Sequence, residues 1–212
     1  MFEKILYVIL GWLLGLLGPI VTDQIKSLLR RREFVSALKV ELEDLQFRLA
    51  ISSLSLLQSH GTLDKDFATW ALRIASRYSG SEPSSNIVRF LEGFVSASDE
   101  TVRNLNEHAR AADGVGASLK SFQVSFLENN IPEIQKLNPA VQRKLYEFRN
   151  QLSIINRDVA RSDDYLMLTF NSSLTSDNHK RITDDLGRLY QQVQRRTKDA
   201  ADRIGSILPD LK

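Results

Sequence analysis

From Ile5 to Val21 the chain reads ILYVILGWLLGLLGPIV, seventeen residues without a charged side chain, and Met1 and Phe2 carry the apolar character past Glu3 and Lys4. As a helix this run measures about 25 Å at 1.5 Å per residue. That is the short end of what a bilayer core requires. Leu, Ile and Val occupy the whole circumference, with none of the polar stripe that a helix on the surface of a soluble core turns to water. The expectation is a single transmembrane helix, with residues 1–22 as the anchor and residues 23–212 as a separate helical domain. A cleaved secretory leader fits poorly. Its n-region would set one Lys beside one Glu, and no small-x-small cleavage site follows. Instead come Thr22-Asp23-Gln24, Lys26 and then Arg30-Arg31-Arg32. Four cations after the run, against Lys4 and the amino terminus before it, predict that the C-terminal side stays in the cytoplasm.

Arg30, Arg31 and Arg32 admit two uses, a nucleic-acid patch or a juxtamembrane anchor. Their position directly after the apolar run favours the anchor, since anionic headgroups attract each nearby cation by about 1 kcal/mol. An orienting role is therefore assigned to them. The charge of the whole chain agrees: 28 Lys plus Arg against 26 Asp plus Glu leave +2, which makes no bulk electrostatic case for a nucleic-acid partner. The expected location is a cell membrane, crossed once, with a bacterial inner membrane suggested by the overall plan. Asn171-Ser172-Ser173, formally a glycosylation triplet, then falls on the wrong side for that chemistry.

Within the apolar run, Gly11 and Gly15 form G-x-x-x-G, and Gly18 lies about one turn further on. In lipid, helices gain little from the hydrophobic effect and associate through close backbone packing, which Gly permits. Self-association of the anchor as a homo-oligomer contact through Gly11, Gly15 and Gly18 is one reading; the other is that Gly is simply common in membrane helices. Pro19 removes one backbone donor near the cytoplasmic end and is expected to kink or offset the helix.

Beyond the anchor the fold class reads as all-α, an antiparallel helical bundle with coiled-coil-like seams. Gly and Pro are few, and the apolar residues fall in long stretches without the regular turn punctuation of a β-sandwich or barrel. Leu28, Val35, Leu38, Leu42, Leu45, Leu49 and Leu56 recur at helical spacings and continue the anchor helix to about His60-Gly61. Thr62 is expected to cap a shorter helix bearing Phe67, Trp70, Leu72 and Ile74. Residues 79–85 read as an exposed loop, and a helix starting at Ser85 or Asn86 carries Ile87, Phe90, Leu91, Phe94 and Val95. Ser98-Asp99-Glu100 starts another, with Val102, Leu105, Ala109 and Ala112, closed by Asp113-Gly114. Leu119, Phe122, Phe126 and Leu127 suggest a short helical segment before a break at Pro132. Asn138-Pro139 is a helix start, cap and first position together. From there Val141, Leu145, Phe148, Leu152, Ile155 and Val159 alternate by four and three, toward Phe170. Leu186, Tyr190, Val193, Thr197, Ala200, Ile204 and Ile207 repeat that alternation, so the two seams are expected to pack together. Arg195, Arg196 and Lys198 among Asp184, Asp185, Asp199 and Asp202 read as a mixed-sign solvent face.

Little in this pattern carries chemistry. The absence of Cys excludes disulfides, thiol nucleophiles and Cys-ligated metals. His60, His108 and His179 lie far apart, without the i, i+4 partner of a helical metal site, and no phosphate-binding, dinucleotide or nucleophile-elbow motif is present. No metal or other cofactor is expected.

Arg103-Asn104-Leu105-Asn106-Glu107-His108 sets an Arg, a polar residue and, after four intervening positions, a His on an expected helix. This resembles the R-x(4-6)-H signature of the HEPN helical-bundle ribonucleases. The resemblance covers six residues, and it implies Arg103 binding phosphate and His108 acting in 2′-OH-dependent RNA cleavage across a dimer. The alternative for the same residues is a solvated helix face with Glu107 and Arg110.

The function these features point to is a membrane-anchored interaction or scaffold protein, more a tether than an enzyme, with the lipid bilayer, a second copy and an unidentified protein as partners. A HEPN-like ribonuclease and a pore-forming or membrane-perturbing effector are the alternatives from other classes.

Overall fold

The structure, a computed structural model, describes residues 2–80, 83–110 and 119–211, without the side chains of residues 2–11, 13–14, 16–20 and 83–84. Among the described residues it is all-helical, with no strand. Helix α1 spans Phe2–Ser59, α2 Lys65–Ala75, α3 Pro83–Ser96, α4 Asp99–Ala109, α5 Ser125–Asn129, α6 Ile131–Ile134, α7 Pro139–Thr169 and α8 Ser176–Ile207, followed by a 3-10 turn at Leu208–Asp210.

Three long helices make the frame. α8 lies against both α1 and α7, and each pairing is antiparallel. The α1 pairing is fixed by Gln46 Nε2 donating to the Ala201 carbonyl at 2.8 Å and by the Ser53–Thr197 hydroxyl pair seven residues further along α1 and four residues back along α8. The α7 pairing is fixed by Lys144 with Asp210, Glu147 with Arg203, and Asp158 with Arg196, a ladder that descends α8 as it climbs α7. The two sequence-predicted seams are the buried faces. Val141, Leu145, Phe148, Leu152, Ile155 and Val159 on α7, and Leu186, Tyr190, Val193, Thr197, Ala200, Ile204 and Ile207 on α8, are all buried. Among the described residues of α1, burial begins at Phe34 and Val35 and continues through Leu38, Leu42, Leu45, Leu49 and Leu56.

The shorter helices pack on this frame, α2 against α1 and α8, and α5 against α1. At the end of α1, Gly61 takes φ 65°, and the Thr62 amide donates back to the Leu57 carbonyl at 2.9 Å. This left-handed closure satisfies the last carbonyls of the helix. A Cβ at Gly61 would sit 2.7 Å from the Asn106 carbonyl oxygen, so α4 approaches the turn closely because the side chain is missing. α2 then buries Phe67, Ala68, Trp70, Ala71 and Ile74. α3 lies on α2 and contributes Leu91 and Phe94, whereas α4 buries no residue and rides on the surface, held by Asn106 Nδ2 donating to the Leu63 carbonyl at 2.8 Å.

Several expectations need correction. Asp64, not Thr62, caps α2, its carboxylate accepting from the Phe67 amide at 2.6 Å, because a carboxylate two residues later reaches the free amides of the first turn. α3 begins at Pro83, ahead of Ser85, since Pro tolerates the first helical turn, where its missing N–H is no loss. α4 ends at Ala109, with Leu105 exposed; the expected stop at Asp113-Gly114 lies outside the described residues, as does Ala112. Residues 119–124 are not helical. The amide of Asn156 on α7 clamps Phe122 on both sides, accepting from its N–H at 2.8 Å and donating to its carbonyl at 2.7 Å, which removes both groups from a helical ladder. Helix forms only from Ser125, where the Glu41 carboxylate of α1 accepts from the amides of Phe126 and Leu127 at 2.7 and 2.9 Å. Pro132 falls in the first turn of α6 and opens a helix where a break was expected. The α7 seam stops at Ser162, and Phe170 is 73% exposed.

Candidate functional site

The apolar helix of the N-terminal segment and the bundle are one element. α1 has 58 residues, about 87 Å of continuous helix. Its second part, from Phe34, is packed; every residue from Val21 to Glu33 is exposed. Leu28, expected in the core stripe, is 60% exposed, because the bundle's other helices do not reach it. Val21, Ile25 and Leu29 are likewise half exposed. Trp12 is exposed, and a Cβ at Gly15 would meet nothing within 4 Å. The surroundings of Gly11, Gly18 and Pro19 lie outside the described residues. Among the described residues no helix is long and apolar enough to cross a membrane; most side chains of the 5–21 run fall outside that set.

At 100° per residue, Val21, Ile25 and Leu28 fall on one side of α1, with Leu29 at its margin. Asp23, Lys26 and Arg30 fall on the far side. Arg32 closes the apolar side, and Arg31 flanks it. Leu28, Arg31, Arg32, Val35, Ser36 and Lys39 together line a shallow groove where α1 enters the bundle. Among the described residues Arg30, Arg31 and Arg32 make no ion pair, so their charges are open to anionic surroundings. The structure thus places the three expected orienting arginines on a solvent-exposed collar immediately above the bundle.

Arg103 and His108 share α4 but not a face. Five positions apart, they diverge by about 140° around the axis. Arg103 borders the depression between α4 and the α1–α2 turn, beside Asp64, Asp66 and Asp99. His108 does not line that depression, and its Nδ1 donates to the Asn104 carbonyl one turn back at 2.7 Å. The depression also holds Glu107 and Lys65, the latter paired with Asp99 at 2.6 Å, so its lining is predominantly acidic and disfavours a phosphate. The other two histidines are also tied to backbone: His60 Nδ1 to the Leu56 carbonyl at 2.6 Å, and His179 Nε2 to the Thr169 carbonyl at 3.1 Å. Among the described residues no three His, Asp or Glu side chains converge as a metal site. A cavity of about 140 Å³ between Leu56, His60, Thr62, Tyr190, Gln191 and Gln194 is below the roughly 300 Å³ at which cofactor pockets begin, and a larger, open depression lies between the end of α7 and the start of α8, bordered by Thr169, Phe170, His179 and Lys180.

The polar groups that do converge are structural, and they escaped sequence reasoning. Arg196 was expected on a solvent face; it reaches the buried carboxylate of Asp158 across the α7–α8 seam. Lys198 was expected there too, yet it lies 5.0 Å above the Trp70 ring and pairs with Asp202, which also accepts from the Trp70 indole at 2.6 Å. Ser53 and Thr197, both fully buried, share a 2.5 Å hydroxyl contact. The available signal was positional: Asp158 adjoins Val159 in the α7 seam, and Ser53 falls in the α1 stripe between Leu49 and Leu56. At the end of the bundle remote from α1's N-terminus, Met167 and Phe170 are 70% and 73% exposed at the close of α7. No protein-family model matches the chain, and no curated protein or solved structure is significantly similar to it.

Proposed function

We propose that this protein is a single-pass, membrane-anchored helical scaffold whose bundle stands at the cytoplasmic face and acts by protein contacts. The apolar run of residues 5–21 is the anchor, Arg30, Arg31 and Arg32 orient it against anionic headgroups, and Gly11, Gly15 and Gly18 offer a close helix contact between copies. The observation that carries this reading is the continuity of α1. One helix runs from the apolar run into the core with no loop between, so the proposed anchor leads directly into the bundle and the exposed collar of residues 21–33 spaces the two. The exposed Met167 and Phe170 at the opposite end support a contact role, because apolar side chains there are farthest from the proposed bilayer and nearest an incoming partner. The geometry around Arg103 and His108 gives the ribonuclease alternative no comparable support.

Reporter fusions after Lys212 test the topology. A reporter active only in the cytoplasm is expected to work and one active only outside the membrane is expected to stay silent; the reverse pattern removes the proposal.

A further inference from the structure

The collar between the proposed anchor and the bundle bears an apolar side that nothing among the described residues covers. Val21, Ile25 and Leu28 are 51%, 53% and 60% exposed. Their spacing of four and three continues in both directions: backward through Gly18, Leu14 and Gly11, and forward through Arg32 to Val35. Every second member lies on one seven-residue position and the rest on another, the spacing by which one helix meets its partner along its length. From Gly11 to Leu28 the stripe holds no charge, while Asp23, Lys26 and Arg30 project from the opposite side of α1. A charge-free apolar centre with charges kept to the rim is the pattern of an interface core.

We infer that this stripe is the seam of a parallel pair, two copies of α1 meeting through Gly11, Leu14, Gly18, Val21, Ile25 and Leu28. The inference rests on the proposed anchoring, and it adds a specific surface and a specific occupant. Two chains inserted in one bilayer with the same topology are parallel and level by constraint. Each seam residue then faces its own counterpart, the self-complementary arrangement that a two-fold interface requires. The small Gly11 and Gly18 let the backbones approach within lipid, and the larger Val21, Ile25 and Leu28 remove apolar surface from water outside it. The seam ends at Arg32, where like charges would face each other across the axis and where each α1 turns its stripe inward to its own bundle at Val35. Pairing thus stops where the bundles begin.

The chain contains no Cys, so single cysteines report without background. A disulfide forms only where two Cα atoms come within about 7 Å, which separates facing from averted positions. Full-length Val21→Cys, Ile25→Cys and Leu28→Cys, with Asp23→Cys, Ser27→Cys and Arg30→Cys as controls, are oxidised in native membranes and resolved on non-reducing gels. All six positions are exposed, so the bundle's core is untouched. The expected result is a species of twice the mass at positions 21, 25 and 28, at least about fivefold above positions 23, 27 and 30. Equal yields at all six, maxima on the polar side, no cross-link, or adducts of a different mass overturn the pairing, the last in favour of a different protein. Alkaline carbonate extraction of the same samples reads the anchoring separately. Extracted protein that keeps the 21, 25, 28 pattern supports the pairing while removing the anchor; retained protein with a flat pattern does the opposite.

Discussion

At the scale of single residues, the seam between α7 and α8 depends on a charge that hydropathy alone would have left out. Asp158 is 3% exposed and faces Arg196, which keeps partial access to water. Removing one member of a buried pair strands the other. Asp158→Ala should therefore cost about 3 kcal/mol, the low end for a broken buried pair because Arg196 can still turn to solvent. Urea unfolding monitored by circular dichroism measures it. The double replacement Asp158→Leu with Arg196→Leu should recover most of the loss, since an apolar pair of similar volume needs no desolvation. Tyr78 is a second case. Its phenol donates to Asp44 at 2.8 Å and its ring stacks on Phe47, and this hydrogen bond, followed by burial and the Asp44 charge, raises its pKa above the ordinary value. A group raised on folding stabilises fully below its unfolded pKa of about 10 and loses that contribution as pH climbs through the folded value. The unfolding midpoint should accordingly fall more steeply above about pH 10 in the wild type than in Tyr78→Phe, as thermal melts at rising pH would show.

At the scale of elements, the long helices were legible in the sequence and the short ones were not, for a physical reason. α7 and α8 bury one face along their whole length, so apolar spacing alone describes them, and Asn138 with Pro139 marks the start of α7 with the Asn138 carboxamide accepting from the Ala140 amide. Residues 119–134 answer instead to distant partners. Phe122 is held by Asn156 and the first turn of α5 by Glu41, contacts 34 and 85 residues away, which no local pattern records. The same limit applied to the site. The apolar run, the arginine triplet and the glycines stand out in the sequence, but the exposed side of residues 21–28 could not be separated from the core stripe it continues, because both share one spacing. Gly61 is where an element's end can be tested. With φ 65° and the Asn106 carbonyl 2.7 Å from any Cβ, Gly61→Ala should cost about 2 kcal/mol or more through backbone strain and displacement of α4. Hydrogen exchange should show the loss concentrated at the α1–α2 turn and in α4, with α7 and α8 spared.

At the scale of the whole molecule, the proposed function rests on what one helix joins. α1 is shared between the apolar run and the three-helix frame, so on the proposed reading the position of its first part decides where the bundle stands and which of its surfaces is turned to a partner. Among the described residues burial begins at Phe34, and residues 21–33 are all exposed, so that collar adds nothing to the bundle's packing. Such an arrangement separates two sets of variants: those in the core should lower stability without moving the protein, and those in residues 5–21 should move the protein without lowering the stability of the bundle. The most direct measurement is alkaline carbonate extraction of membranes containing the full chain, beside a Leu13→Arg, Leu17→Arg variant in which each arginine opposes insertion by about 3 kcal/mol. The account predicts that the wild-type chain stays in the pellet until detergent is added and that the variant passes to the supernatant as a folded bundle. Wild-type chain released by carbonate alone would contradict it.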